Sequence, residues 1–149
     1  MKVSEIMSSN PVTLTDEATV LDAAETMMME KISVVPVVDA ENKLIGLITQ
    51  SDFVGKEKRV PHALVSIKEL LGKQFHNRDI EEIYRESQET PITEVMTKKV
   101  ISVDKDTTVS ELIDLMIKKH LKRIPVLSDE GKLLGIVTRR NLLQAYLLA

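Results

Sequence analysis

Two stretches decide how this chain folds: Val34-Val-Pro-Val-Val-Asp-Ala-Glu-Asn-Lys-Leu-Ile-Gly-Leu-Ile-Thr49-Gln-Ser-Asp52, and Arg123-Ile-Pro-Val-Leu-Ser-Asp-Glu-Gly-Lys-Leu-Leu-Gly-Ile-Val-Thr138-Arg-Arg-Asn141. In each, two short apolar runs rich in β-branched residues flank a polar, turn-forming tetrad, Asp39–Asn42 in one and Ser128–Gly131 in the other, the pattern of a β-hairpin. Pro36 and Pro125 cannot donate to a ladder, so the first strand of each hairpin is expected at a sheet edge or bonded on one side only. Each hairpin runs into a helix starting near Thr49 or Thr138, residues suited to an N-cap.

Working outward, the match extends without a gap over residues 3–53 against 92–142, an offset of 89 positions. Glu5/Glu94, Met7/Met96, Thr19/Thr108, Val20/Val109, Met27/Met116 and Gly46/Gly135 are identical pairs on either side of the hairpins. Such self-similarity marks two copies of one structural unit. Each copy opens with a short extended run, Pro11–Leu14 or Val100–Val103. A helix follows whose apolar stripe reads Val20, Ala23, Ala24, Met27 and Met28, or Val109, Leu112, Ile113, Met116 and Ile117. Thr108-Val-Ser-Glu111 has capping-box spacing, and Thr19-Val-Leu-Asp22 is its shorter-armed version.

One copy of about fifty residues is too small to bury its apolar surface well. The sequence therefore predicts an α/β (α+β) fold of two β-α-β-β-α repeats packed about a pseudo-twofold axis. The organisation read is 1–60, repeat 1; 61–89, a helical insert; 90–149, repeat 2. The insert carries Ile67, Leu70, Leu71, Ile80, Ile83 and Tyr84 at amphipathic spacing.

Composition narrows the function. The chain has 149 residues, 43% hydrophobic and 29% charged, with a net charge of −3, a globular balance with no global positive field to gather nucleic acid. Cysteine is absent, which excludes thiolate metal sites and thiol nucleophiles. His62, His76 and His120 have no metal-ligand spacing, and no nucleophile elbow or phosphate-cradling glycine loop is present. No apolar run approaches the roughly 20 residues of a membrane span. The expectation is a soluble, cytoplasmic protein that is not an enzyme and holds no metal.

The repeated apolar-Pro-apolar strand and the Gly-x-x-Thr-x-x-Asp/Asn segment leading the last helix resemble a tandem pair of CBS domains, the Bateman module. The resemblance covers about 1–60 and 90–149. It implies a regulatory module that binds AMP, ADP, ATP or S-adenosylmethionine in clefts between the repeats and signals to an effector protein by conformational change. It also implies that Thr49 and Asp52 hold a ribose, with Thr138 and Asn141 the matching pair. Arg123 and Lys122, just before Ile124-Pro125, are implied phosphate ligands. Val12, Thr13, Ile101 and Ser102 supply backbone contacts, and Val34, Pro36 and Ile124 apolar walls. The second copy departs from the pattern at Asn141, and the first has Ser33 and Val34 where the second has Lys122 and Arg123.

The chemistry of these residues is consistent with the resemblance. One carboxylate can accept both hydroxyls of a ribose diol, whereas an asparagine has one acceptor oxygen, so Asp52 ranks above Asn141. Arginine's fork of donors suits phosphate, and Arg139 and Arg140 extend the same positive field. Local readings stand beside these: an acid in a first helical turn favours the macrodipole, threonines cap helices, Lys118–Arg123 ends a helix with positive charge, and apolar residues fill any core. The last helix, with Leu142, Leu143, Tyr146, Leu147 and Leu148, predicts a homodimer contact. The alternatives are a ligand-free oligomerisation or docking module and a nucleic-acid binder using Lys118–Arg123 with Arg139 and Arg140.

Overall fold

The structure is a computed structural model and describes residues 1–54, 82 and 85–148. Its strands are β1 (Ser8–Ser9), β2 (Leu14–Thr15), β3 (Val34–Val38), β4 (Leu44–Thr49), β5 (Val103–Asp104), β6 (Arg123–Leu127) and β7 (Leu133–Thr138). Its helices are α1 (Val20–Glu30), α2 (Ser51–Val54), α3 (Val109–Lys119) and α4 (Arg139–Leu148). Both copies follow the expected β-α-β-β-α order, with β2, α1, β3, β4, α2 answering to β5, α3, β6, β7, α4. The apolar positions expected in the insert lie outside the described residues; residues 85–89 are helical.

The chain forms two compact units. One comprises Thr13–Asp39 and Ile45–Lys98 and holds the sheet β2-β3-β4. The other comprises Met1–Val12, Ala40–Leu44 and Lys99–Ala149 and holds the sheet β1-β7-β6-β5. Register repeats with the sequence: Leu14 lies beside Val37 and Val103 beside Val126, both parallel.

The packing unit differs from the sequence repeat, because the leading segments are exchanged. In the second unit Val3 N–H donates to Thr107 O at 2.9 Å, Val109 N–H donates to Met1 O at 2.9 Å, and β1 pairs antiparallel with β7. In the first unit the equivalent segment from repeat 2 does the same work: Ile92 N–H donates to Ala18 O at 2.9 Å, and Leu47 and Thr97 exchange backbone bonds of 3.0 and 2.8 Å. The cores follow. Ile92, Val95 and Met96 join Val20, Ala23, Met27, Val35, Val37 and Ile48 in one cluster, and Val3 joins Leu112, Met116, Ile124, Val126 and Val137 in the other.

Two sequence expectations are corrected and a third is decided between its alternatives. The proline strands β3 and β6 are inner strands rather than edges, but their parallel neighbours begin one residue beyond each proline, so on that side the proline has no ladder partner for its missing N–H to lose. The opening strands start at Leu14 and Val103, the last residues of the predicted runs, which leaves Val12, Thr13, Ile101 and Ser102 outside the ladder. The helical stripes are narrower than read: Met27 and Met116 are buried, but Met28 is 80% and Ile117 68% exposed. One residue further along a helix is turned by about 100°, which carries these side chains off the buried face.

Both central helices begin with the same reciprocal cap. Thr19 Oγ1 accepts from Asp22 N–H and Asp22 Oδ2 from Thr19 N–H, at 3.2 and 2.9 Å; Thr108 and Glu111 repeat both distances. The Thr108 N–H, and secondarily its hydroxyl, hold the exposed Glu111 carboxyl below its ordinary value of 4.5. Its contribution to stability is therefore complete above that value and fades as pH falls through the lowered one. Thr108→Ala is expected to cost about 1 kcal/mol at neutral pH and less in acid, measured by urea unfolding at pH 7 and pH 3.

Candidate functional site

The Gly-x-x-Thr-x-x-Asp/Asn segments join the second strand of each hairpin to a helix, so their polar side chains are fixed by both. In the first unit Thr49 ends β4 and Asp52 lies in α2, only 3% exposed. Asp52 Oδ2 accepts from the Thr49 N–H at 2.8 Å and from the Thr49 hydroxyl at 3.3 Å, and Thr49 Oγ1 lies 2.7 Å from Ser51 Oγ. In the second unit Thr138 ends β7 and Asn141 sits in the first turn of α4, also buried. Asn141 Oδ1 accepts from Thr138 N–H at 2.8 Å and from its hydroxyl at 2.9 Å, while Asn141 N–H reaches back to Thr138 Oγ1 at 3.5 Å.

Among the described residues, the positive side chains matched to a box gather at the second one. Arg123 opens β6 directly across from Thr138, which puts the two side chains on one face of the sheet. Arg139 and Arg140 are the first residues of α4, and Lys122 immediately precedes β6; all three are exposed. The first unit has Ser33 and Val34 at the matching positions, with Gln50 N–H donating to Ser33 O at 3.1 Å. One box therefore presents a carboxylate and the other a carboxamide with cations beside it. That suits hydroxyl donors at the first and negative groups at the second.

The apolar set divides. Val35 and Ile124 have no accessible surface and belong to the two cores, and Pro36 is fully buried. Val34 is half-buried, and Val12 and Ile101 are each 39% exposed, an apolar surface left open at the same position of both copies. Thr13 and Ser102, next to them, are half-buried.

The sequence reading missed Ser8. Its hydroxyl, carried by β1, accepts from Asn141 Nδ2 at 3.1 Å across 133 residues of chain. A signal existed: Ser8 stands opposite Thr97 in the repeat, a hydroxyl residue in both copies. Among the described residues no group of three or more acidic or histidine side chains could hold a metal, and no helix is long and apolar enough to cross a membrane.

Comparison with known proteins agrees with this geometry. The CBS domain family matches twice, at residues 3–58 and 92–148. The uncharacterized protein MJ1426 of Methanocaldococcus jannaschii is 32% identical over 97% of this chain and 90% of its own length. The CBS domain of a CBS domain containing membrane protein from Sphaerobacter thermophilus superposes with a TM-score of 0.77 at 31% identity, covering 97% of this chain and 86% of that one. CBSX2 of Arabidopsis thaliana, solved in complex with AMP, shares the fold with a TM-score of 0.73 at 22% identity over 99% of this chain and 96% of its own. With two matched repeats, each built on the same strand-helix order and the same threonine-anchored turn, the chain belongs to the CBS domain family as a tandem pair.

Proposed function

We propose that this protein is a regulatory, non-catalytic module that binds an adenosine-containing ligand and passes the binding event to an effector protein through a change in conformation. In this reading Thr49 and Asp52 hold the ribose, and Arg123 and Lys122, aided by Arg139 and Arg140, take the phosphates. Backbone groups near Val12, Thr13, Ile101 and Ser102, with Val34, meet the adenine. The observation that carries it is the buried Asp52 carboxylate, pinned by the Thr49 N–H at the head of a helix in a CBS pair. The AMP complex of CBSX2, a protein of the same fold, supports an adenine nucleotide. The cations around Thr138 favour AMP, ADP or ATP over S-adenosylmethionine, which has no phosphate.

A thermal-shift panel of AMP, ADP, ATP, S-adenosylmethionine and GTP tests the proposal. A ligand at 100 times its Kd adds about 2.7 kcal/mol, enough to raise Tm by several degrees in a chain of this size. A rise with adenosine ligands and none with GTP is the expected result. A flat panel overturns it and favours a docking module, the reading supported by the last helix, where Leu143, Tyr146, Leu147 and Leu148 are all more than 60% exposed. Under either reading this face is proposed to meet a second copy of the chain. Leu143→Glu with Leu147→Glu is expected to turn a dimer into a monomer by light scattering.

A further inference from the structure

We infer that a second copy of the chain docks head to tail, with α1 of one copy packed on α3 of the other; this gives an orientation to the second copy proposed above and rests on that reading. The two helices hold matched places in the repeat and differ in charge. Residues 20–34, α1 and the turn after it, carry Asp22, Glu25, Glu30 and Lys31, a formal −2. The matched residues 109–123 carry Glu111, Asp114, Lys118, Lys119, Lys122 and Arg123, a formal +2. The contrast extends to the units. Among the described residues, the unit holding α1 has three Lys and Arg against eleven Asp and Glu, whereas the unit holding α3 has eleven against eight. The rest of the sequence, six basic and four acidic residues, is too nearly balanced to offset that acidic excess.

Both helices also leave apolar side chains uncovered at matched positions. Met28 is 80% exposed and Ile117, its equivalent, 68%. Met29 follows the first at 81%, and Ile113, one turn before Ile117, is 37% exposed. Burying these side chains favours association whichever helices meet, and unbranched methionines adapt to the surface they meet. Charge then chooses between the pairings. Docking α1 on α1 sets the acidic unit against its own copy, and α1 contains no basic residue to relieve Asp22, Glu25 and Glu30. Docking α1 on α3 sets the acidic unit against the basic one, and puts the exposed acids of α1 within reach of Lys118 and Lys119 in the last turn of α3.

The chain has no cysteine, so one introduced thiol reports one contact, and any cross-link between single-thiol chains is intermolecular. Met28→Cys is mixed with Ile117→Cys, equilibrated at roughly 50 mM salt, where charge is weakly screened, and treated with a short bis-maleimide. Each variant alone, and Met28→Cys with Ile113→Cys to read a register shifted by one turn, run alongside. Light scattering of the parent gives the oligomeric state. The expected result is a dimeric parent, with the mixture joining residue 28 to residue 117 or 113 in several times the yield of Met28→Cys alone. A dimer in which Met28→Cys joins itself as readily overturns the orientation and leaves the second copy standing. A dimer that joins none of these positions does the same. A monomeric parent removes both readings. Charge is tested separately: Lys118→Glu with Lys119→Glu is expected to weaken the dimer about tenfold by sedimentation, and Glu25→Lys with Glu30→Lys in the same chain to restore it. Failure of the four-fold variant to recover the dimer overturns the inference.

Discussion

Asp52→Ala is expected to weaken AMP binding about tenfold to a hundredfold, the loss of a hydrogen bond to a charged group at roughly 1.5–3 kcal/mol. The same change removes the acceptor of the Thr49 N–H and hydroxyl, so it also lowers stability, by about 1 kcal/mol if it behaves as a lost cap. Binding and capping are thus entangled in the alanine variant, and Asp52→Asn separates them. An asparagine can still accept from Thr49, as Asn141 does from Thr138, and its cost to stability is expected to be smaller than alanine's. It cannot accept a diol as well. Calorimetry with AMP beside urea unfolding reads both quantities. Undiminished binding in Asp52→Ala removes the ribose role, and a variant equally stable to the parent removes the capping role.

Gly135→Ala is expected to cost about 2–3 kcal/mol and Gly46→Ala about 1 kcal/mol, although the two glycines are equivalent in the repeat. Each lies under a methionine from the exchanged leading segment. A Cβ at Gly46 would fall 2.5 Å from Met96 Sδ and 3.0 Å from the Thr97 carbonyl. At Gly135 it would fall 2.6 Å from Met7 Sδ and 2.7 Å from the Ser8 carbonyl. Methionine can move its thioether at modest cost, whereas the Ser8 carbonyl belongs to β1 and its shift would disturb the pairing with β7. Urea unfolding of the two variants should therefore differ. Equal losses would mean that β1 yields as easily as a side chain. Since Ser8 also holds Asn141, Gly135→Ala should reach the second box, and a moved Asn141 side-chain amide resonance would report it.

Much of the site was legible because its residues are neighbours in sequence. Thr49 with Asp52, and Thr138 with Asn141, are three apart, a spacing at which a strand-to-helix turn brings side chain to backbone without help from the rest of the fold. That Arg123 faces Thr138 was not legible from the turn, because the register shifts by one residue between Val126 and Leu127. Pro36 and Ile124 show why apolar residues are harder to read: in a strand, the same side chain serves to wall a pocket or to fill a core.

By itself the sequence determined the two repeats, their strand and helix order, the helix caps and the strand-to-helix boxes, since each depends on periodicity or contacts within a few residues. It also determined that the two boxes differ in charge, because that is composition at matched positions. Tertiary structure alone decided which leading segment completes which unit. The segments 3–9 and 92–98 carry near-equivalent apolar and hydroxyl residues, so local preference does not distinguish the assignments, and only the long-range ladders Ser8–Ile136 and Leu47–Thr97 do. The fate of Asn141 belongs to the same class. Its chemistry was written in one letter, but the hydrogen bond that fixes it comes from Ser8, far along the chain, and such a pairing exists only once the backbone has closed.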